Sequence, residues 1–454
     1  MTRAQTIALI LAGIGLLLAV SPPVGFSGRE ALAAGLALAA IGLWATGALP
    51  EALTALLFFA ICMLSQAAPA KIVFSGFMSQ ALWLVFSGLV FGAAIKSTGF
   101  GDRVAHAVGR RMGHSFASAL LGVLLMGLGL AFLMPSSMGR IVLMVPLLAA
   151  LCQHLGYEPS SRGWNGLMLG GIFSTFLPSF SILPANIPNM VLSGAAEALL
   201  GAAPSYGDYF LANFPVLGLL KWSLLFLALW ILYRGDEPKT MSEPPPKSMS
   251  ASERKLALVL TVAIGLWMTD SLHHIAPGWV GLAAAILCLL PQTGILPPKS
   301  LTTINFEPVL YVAGVIGLGA VIDHAGVGRL VGSFIIGVLP LSPDNAFFSY
   351  MSLAALAAVV GMATTMPGVP AVLTPFAASL AAVTGLPVTS ILMTQVAGFS
   401  TLILPYQAPP VMTGIQISHA KAWDFTRLGL ILAVVSVLVL WPLEFLWLRL
   451  VGKM

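Results

Sequence analysis

Charge is what this chain has least of. Its 454 residues include 21 Lys plus Arg and 16 Asp plus Glu, so only 8% are charged. A soluble domain carries about a quarter. With 58% hydrophobic residues and a mean hydropathy of +0.97, polar groups cannot cover a globular surface, and lipid must be the solvent. Cysteine is scarce as well. Cys62, Cys152 and Cys288 stand alone in apolar surroundings without a Cys-x-x-Cys pair, which reads as small buried hydrophobes rather than disulfides or metal ligands. There is no G-x-x-x-x-G-K-[ST] stretch, so ATP-driven transport within the chain is unsupported. The absence of His-Glu-x-x-His and Gly-x-Ser-x-Gly argues against a membrane hydrolase, and no enzymatic activity is expected.

What is present is apolar on every face. Runs such as Ile7–Val20, Ala31–Ala48, Leu256–Trp267 and Ile431–Leu443 have the composition of membrane spans. A span needs roughly 20 mostly apolar residues, and runs of that kind predict about eleven crossings. The net charge of +5 does not point to nucleic acid, because the basic residues sit at span ends. One topology puts Arg3, Arg103, Arg110, Arg111, Arg162, Arg234, Lys239, Lys247, Arg254 and Lys255 on the cytoplasmic side. Arg29, Lys71, Arg329, Arg449 and Lys453 fall opposite. This positive-inside bias predicts an inner-membrane protein with a cytoplasmic N-terminus and a periplasmic C-terminus. The N-terminal Thr2-Arg3 and Ile7–Val20 imitate a secretory signal, but Pro22 would hinder cleavage, and the segment reads as a retained first span.

One polar stretch, 234–255, with its Pro244-Pro245-Pro246 run, reads as a cytoplasmic linker. It separates a first span (1–28) and a first repeat (29–233) from a second repeat (256–454). The halves match in order. Gly92–Gly101 parallels Gly319–Gly328 at an offset of 319 − 92 = 227; Pro146 and Pro375 differ by 375 − 146 = 229, and Pro188 and Pro410 by 410 − 188 = 222. An odd number of crossings per half would make the repeats inverted.

Each half is also interrupted twice by polar, proline-rich segments. The first half has Met134–Arg140 and Leu183–Asn189; the second has Ala363–Gly368 and Leu404–Pro410. Unwound backbone at membrane depth survives only where it lines protein or a cavity, and duplicated broken helices point to the binding site of a secondary transporter. As a single helix the 36 residues of Phe116–Leu151 would extend roughly 54 Å. They therefore predict a re-entrant hairpin with its tip at Pro135–Gly139, and a second hairpin near Phe347–Val383 with its tip at Thr364–Gly368. The expected fold is all-α and polytopic: about eleven transmembrane helices plus two re-entrant hairpins, as an inverted repeat.

At these residues the chain resembles the divalent anion/sodium symporter family of sodium:dicarboxylate and sodium:sulfate symporters, within the wider ion-transporter superfamily. That family carries a Ser-Asn-Thr motif at each hairpin tip and a Thr-Pro-Pro-Asn-type motif where a later helix unwinds. Ser136-Ser137-Met138 and Thr365-Met366-Pro367 fall on the tip motifs; Asn186-Ile187-Pro188-Asn189 and Ala408-Pro409-Pro410-Val411 fall on the later ones. Ala48–Leu56 and Trp267–His273 also resemble family sequence. The tip motifs are degraded, with Met366 standing for asparagine and Pro367 for threonine.

The resemblance implies a homodimeric, elevator-type carrier of a small anion, with a sodium ion held by Ser136, Ser137 and the Ala185 carbonyl. A second sodium site at Thr365 is weakened, because a thioether is a poor ligand for a hard cation. Di- and tricarboxylates are the expected substrates and sulfate-like oxyanions the next. Sodium coupling, proton coupling and exchange stay open, as does an anion channel. No other cofactor is implied. Candidate substrate contacts are Ser136, Ser137, Met138, Arg140, Asn186, Thr364, Thr365, Pro367 and Gln407. Arg140 has three readings: a bidentate anion contact, a fixed positive charge in place of sodium, or a structural partner of tip carbonyls. A guanidinium inside a span costs about 2.5–3.5 kcal/mol on insertion scales and must find partners.

Overall fold

The computed structural model describes residues 3–23, 26–100, 103, 115–134, 136–234, 248–327, 337–404, 407–418 and 422–454. Pro135, Pro405, Tyr406, linker positions 235–247 and Arg110, Arg111 and Arg329 lie outside the described residues. Among the described residues every regular element is helical. An apolar chain in lipid must satisfy its backbone internally, and helices do this within each segment.

The main helices run α1 (Arg3–Val20), α2 (Gly28–Thr46), α3 (Glu51–Leu64), α4 (Gln80–Thr98), α5 (Phe116–Leu133), α6 (Ser137–His154), α7 (Arg162–Phe176), α8 (Ile187–Leu200) and α9 (Tyr206–Tyr233). They continue as α10 (Ala251–Met268), α11 (Pro277–Leu289), α12 (Glu307–Ala325), α13 (Ala346–Ala363), α14 (Gly368–Thr384), α15 (Val388–Phe399), α16 (Pro409–Ser418) and α17 (Trp423–Leu450). From α2 to α9 and again from α10 to α17 the order is the same. The correspondence reaches detail: α9 and α17 each contain a π-helical segment, Phe214–Leu220 and Ser436–Leu440, offset by 436 − 214 = 222. α4 and α12 each end on a left-handed glycine, Gly99 (φ 75°) and Gly326 (φ 84°), offset by 326 − 99 = 227.

Among the described residues, 6 helices are long and apolar enough to cross a membrane: α4, α5, α9, α12, α13 and α17. The others are shorter apolar pieces. The polar breaks divide the remaining apolar sequence into these shorter arms and half-helices. The all-helical polytopic fold itself holds. Its outer surface is apolar, with Leu16, Leu64, Leu258, Leu438 and Leu450 exposed, whereas Arg140, Asn189, Lys221, Gln407 and Glu444 are buried. The outer face is as apolar as lipid requires, around a core that is itself mostly apolar.

Helix starts follow capping chemistry. Ser250 and Glu253 form a capping box at the start of α10, and Glu253 also pairs with Arg103 at 2.9 Å. The starting turn of α4 is tied to α8, because Ser79 Oγ and the Gln80 amide both donate to Glu197, at 2.9 and 3.1 Å.

Two packing groups emerge. α2, α3, α4, α10, α11 and α12 pack among themselves, while hairpins α5–α6 and α13–α14 pack on α7 and α15. The halves interlock. α16 of the second half packs on α6 of the first hairpin, and α8 of the first half packs on α14 of the second. Glycine permits close approach here: a Cβ at Gly398 of α15 would lie 2.3 Å from Ala357 Cβ and 2.8 Å from the Ala354 carbonyl oxygen on α13. Gly398→Val is therefore expected to lower stability by about 2–3 kcal/mol through overpacking. Thermal unfolding in detergent reads this, and an unchanged midpoint contradicts it.

Candidate functional site

The first tip forms because Met134 leaves α5 in extended conformation (φ −126°, ψ 101°) and Ser136 caps α6, its Oγ accepting from the Gly139 amide at 3.1 Å. A proline at position 135 has no amide hydrogen to continue the ladder. The second tip is capped by Thr364, whose Oγ1 donates back to the Val360 carbonyl at 2.7 Å.

The unwound segments lie earlier than the sequence suggests. α7 ends at Phe176 and the chain passes through two short 3-10 turns, Pro178–Ser181 and Leu183–Ala185, before α8 begins at Ile187. Asn189 is thus in the first turn of α8 and not in the break. In the second half α15 ends at Phe399 and α16 begins at Pro409. The shift has a simple cause: Pro188 and Pro410 occupy first-turn positions, where the missing amide has no intrahelical partner to lose. Likewise Pro146 lies inside α6 and Pro375 inside a 3-10 turn of α14, so neither ends its arm.

Side chains stitch both breaks. Asn189 Nδ2 donates to the carbonyls of Ser179 (2.8 Å) and Ile182 (2.9 Å), and Asn186 Nδ2 donates to Ser179 Oγ at 3.1 Å. In the second break Gln407 Oε1 accepts from the amides of Ile403 (2.9 Å) and Leu404 (2.7 Å). The Gln407 carbonyl accepts from the Met366 amide at 3.2 Å, which fastens the second tip to its break.

Between the packing groups lies a cavity of about 280 Å³. One wall is Ser136, Ser137, Met138, Phe176, Asn186–Pro188, Met190, Met366, Pro367, Gln407, Ala408 and Pro410; the other is Glu51, Val85, Leu89, Asn305, Pro308 and Tyr311. Ser136, Ser137, Met138, Asn186, Pro367 and Gln407 are therefore brought together as expected. Four helix N-termini, those of α6, α8, α14 and α16, meet at this space and aim their positive dipole ends at it. Thr364 and Thr365 stand behind the lining; Thr365 reaches the Tyr311 side chain.

Arg140 departs furthest from the expected anion contact. It is fully buried and absent from the cavity wall. Its Nε donates to the Thr175 carbonyl at 2.9 Å, one terminal nitrogen to the carbonyls of Ala185 (3.0 Å) and Met134, and the other to Ser137 Oγ at 3.0 Å. A guanidinium turned onto these oxygens offers no fork to a ligand in the cavity. The Ala185 carbonyl and Ser137 hydroxyl, expected to face sodium, face Arg140. A second buried basic side chain, Lys221 of α9, donates to the Ser400 carbonyl at 2.6 Å, at the end of α15.

Sequence reasoning missed the opposite wall. Glu51 lies in the Ala48–Leu56 segment that resembles family sequence, the one signal that marked it; Asn305 and Tyr311 carry no local motif. Lys96 lines an adjoining cavity with Ser136 and Gly139 and shares Leu89 with the first, which places a basic group beside the route to the tips.

Paired re-entrant hairpins, two broken helices and a cavity shared between two packing groups define a secondary-transporter architecture. The sequence matches the sodium:sulfate symporter transmembrane region over residues 2–454, and the chain belongs to that family. It is 26% identical over 410 residues to an L-tartrate/succinate antiporter of Escherichia coli, covering 83% of this chain and 80% of that protein. It is also 24% identical over 376 residues to a membrane protein of Cupriavidus necator, covering 80% and 73%. Its fold resembles the YdaH transporter of Alcanivorax borkumensis, with a TM-score of 0.56 at 14% identity and 99% coverage of both chains. The protein is a multi-pass membrane protein of an anion-transporter family.

Proposed function

We propose that this chain carries a small hydroxylated dicarboxylate across the membrane by exchange, with the two hairpin tips and broken helices moving as one body against the group containing α3, α4 and α12. The observation that carries the reading is the convergence of four helix N-termini on one cavity whose far wall belongs to that second group. Positive dipole ends suit an anion. A cavity of about 280 Å³ suits a ligand smaller than the drug-sized molecules bound in sites of about 300–1,000 Å³.

Glu51 separates the substrate classes. Glu51 lines the same cavity that the helix N-termini meet, so a ligand hydroxyl can donate to it there. A hydroxyl of a tartrate-like acid does so; sulfate at neutral pH has none and meets like charge. This favours dicarboxylates, in keeping with the activity for which the Escherichia coli relative is named. The same proposal includes halves 29–233 and 256–454 as inverted repeats, a homodimer, and an inner-membrane location with the N-terminus inside.

Proteoliposomes loaded with tartrate, succinate or sulfate test it. Labelled tartrate should enter when either dicarboxylate is inside, saturably, and not against sulfate. Glu51→Gln should lower the preference for tartrate over succinate by about tenfold, the effect of losing one charged hydrogen-bond partner. Uptake into empty liposomes driven only by a pH gradient would instead show proton coupling, and unitary conductance a channel. Light scattering of the purified protein reads the dimer.

A further inference from the structure

We infer that Arg140 is a built-in cation that replaces sodium, so that this member of a sodium-symporter family works without it. The inference deepens the carrier reading and rests on it for its transport arm alone.

In broken-helix carriers, unwound carbonyls and the negative C-terminal ends of half-helices are where a coupling cation binds. Here those oxygens already hold protein donors. At the first break, Arg140 takes the Ala185 carbonyl of the unwound segment, the Thr175 carbonyl in the last turn of α7, the Met134 carbonyl at the tip and Ser137 Oγ. That set of three carbonyls and a hydroxyl is an all-oxygen nest of the kind a hard cation selects. A carbonyl retains a second lone pair, but the guanidinium fills the space between these oxygens, and its charge repels another cation.

The second break is closed in the corresponding way. Gln407 is the counterpart of Ala185, since 407 − 185 = 222. Its carbonyl accepts from the Met366 amide at 3.2 Å, while Lys221 Nζ holds the Ser400 carbonyl at the end of α15 at 2.6 Å. The side chains finish the argument: Met366 and Pro367 add no oxygen at this tip. At both cation positions that the resemblance implies, backbone oxygens are therefore already engaged from within the chain. The residues present do not fit sodium.

A fixed charge differs from a mobile one in its consequence. Sodium arriving and leaving with substrate couples two gradients; a tethered guanidinium keeps the tip attached to the unwound segment whether or not an anion is bound. The expected transport cycle is therefore indifferent to the sodium gradient.

Two measurements on the full-length purified protein test this. The first is thermal unfolding in sodium, potassium or choline chloride at one ionic strength, which requires no knowledge of the substrate. The wild-type midpoint should not distinguish the salts; a rise specific to sodium overturns the inference. Arg140→Ala should lose about 5 °C or more and regain part of it specifically with sodium or millimolar guanidinium, because the nest then stands open. Loss without cation-specific recovery overturns the proposed role. Arg140→Lys, which keeps a charge, guards against a variant that fails to fold; it should remain insensitive to sodium, and a sodium response there also overturns the proposal.

The second is tartrate exchange in the same three salts. Wild-type rates should agree within about twofold, whereas stimulation by sodium of about tenfold or more would contradict the inference. If wild-type liposomes move no dicarboxylate in any salt, the carrier reading fails while the unfolding result still decides the role of Arg140.

Discussion

Gln407→Leu is expected to abolish exchange and to lower stability by about 2–4 kcal/mol, because two backbone amides lose their acceptor in a buried break. The side chain is 1% exposed, and its Oε1 accepts from both Ile403 and Leu404. Leucine has similar bulk, so the cavity is not emptied; what disappears is the acceptor that holds those two amides in a segment without a helical ladder. The backbone of Gln407 also anchors Met366, so a loosened break releases the second tip. Thermal unfolding and proteoliposome exchange read the two effects. A variant with normal stability and more than about a tenth of wild-type exchange would show that the break is held by something else.

Asn189→Leu is the matching experiment in the first half, and it removes donors where the former removes acceptors. Asn189 is fully buried, and its Nδ2 bonds the carbonyl of Ser179 in the first short turn of that break and that of Ile182 between the two turns. A loss of about 1–3 kcal/mol is expected, from two lost buried hydrogen bonds, since each carbonyl keeps one backbone donor, the Ile182 and Ala185 amides. Affinity for the anion should fall too, since Asn186 and the start of α8 line the cavity and depend on the register of the same turns. Equal stability and unaltered affinity would contradict this account. Asn189→Asp offers a sharper control: it keeps the shape but loses the amide hydrogens, so it should resemble leucine rather than wild type.

The features visible in the sequence were those written locally. The hairpin tips show as Ser136-Ser137 and Thr364-Thr365 set in apolar runs, and tip geometry depends on just such short polar strings with glycine and proline nearby. The breaks were legible to within about a turn of helix; Pro188 and Pro410 drew attention to themselves, although proline is tolerated in the first helical turn, and the unwinding lies just ahead of it. Glu51, Asn305 and Tyr311 reach the cavity from remote helices, and no spacing rule brings them there. The partners of Arg140 were hidden for another reason. Three of its four hydrogen bonds end on main-chain oxygens, and every residue type supplies one of those.

The crossing of α8 onto α14 and of α16 onto α6 has a consequence for how the protein is made. When the ribosome has delivered only residues up to the linker, the first pair of arms has no α16 to rest on, and α8 has no partner hairpin. Half a chain therefore owns half a binding chamber, with its first polar tip not yet covered by α16. Synthesis of α14 supplies the partner of α8 and synthesis of α16 the partner of α6, so the chamber is complete only near the end of the chain.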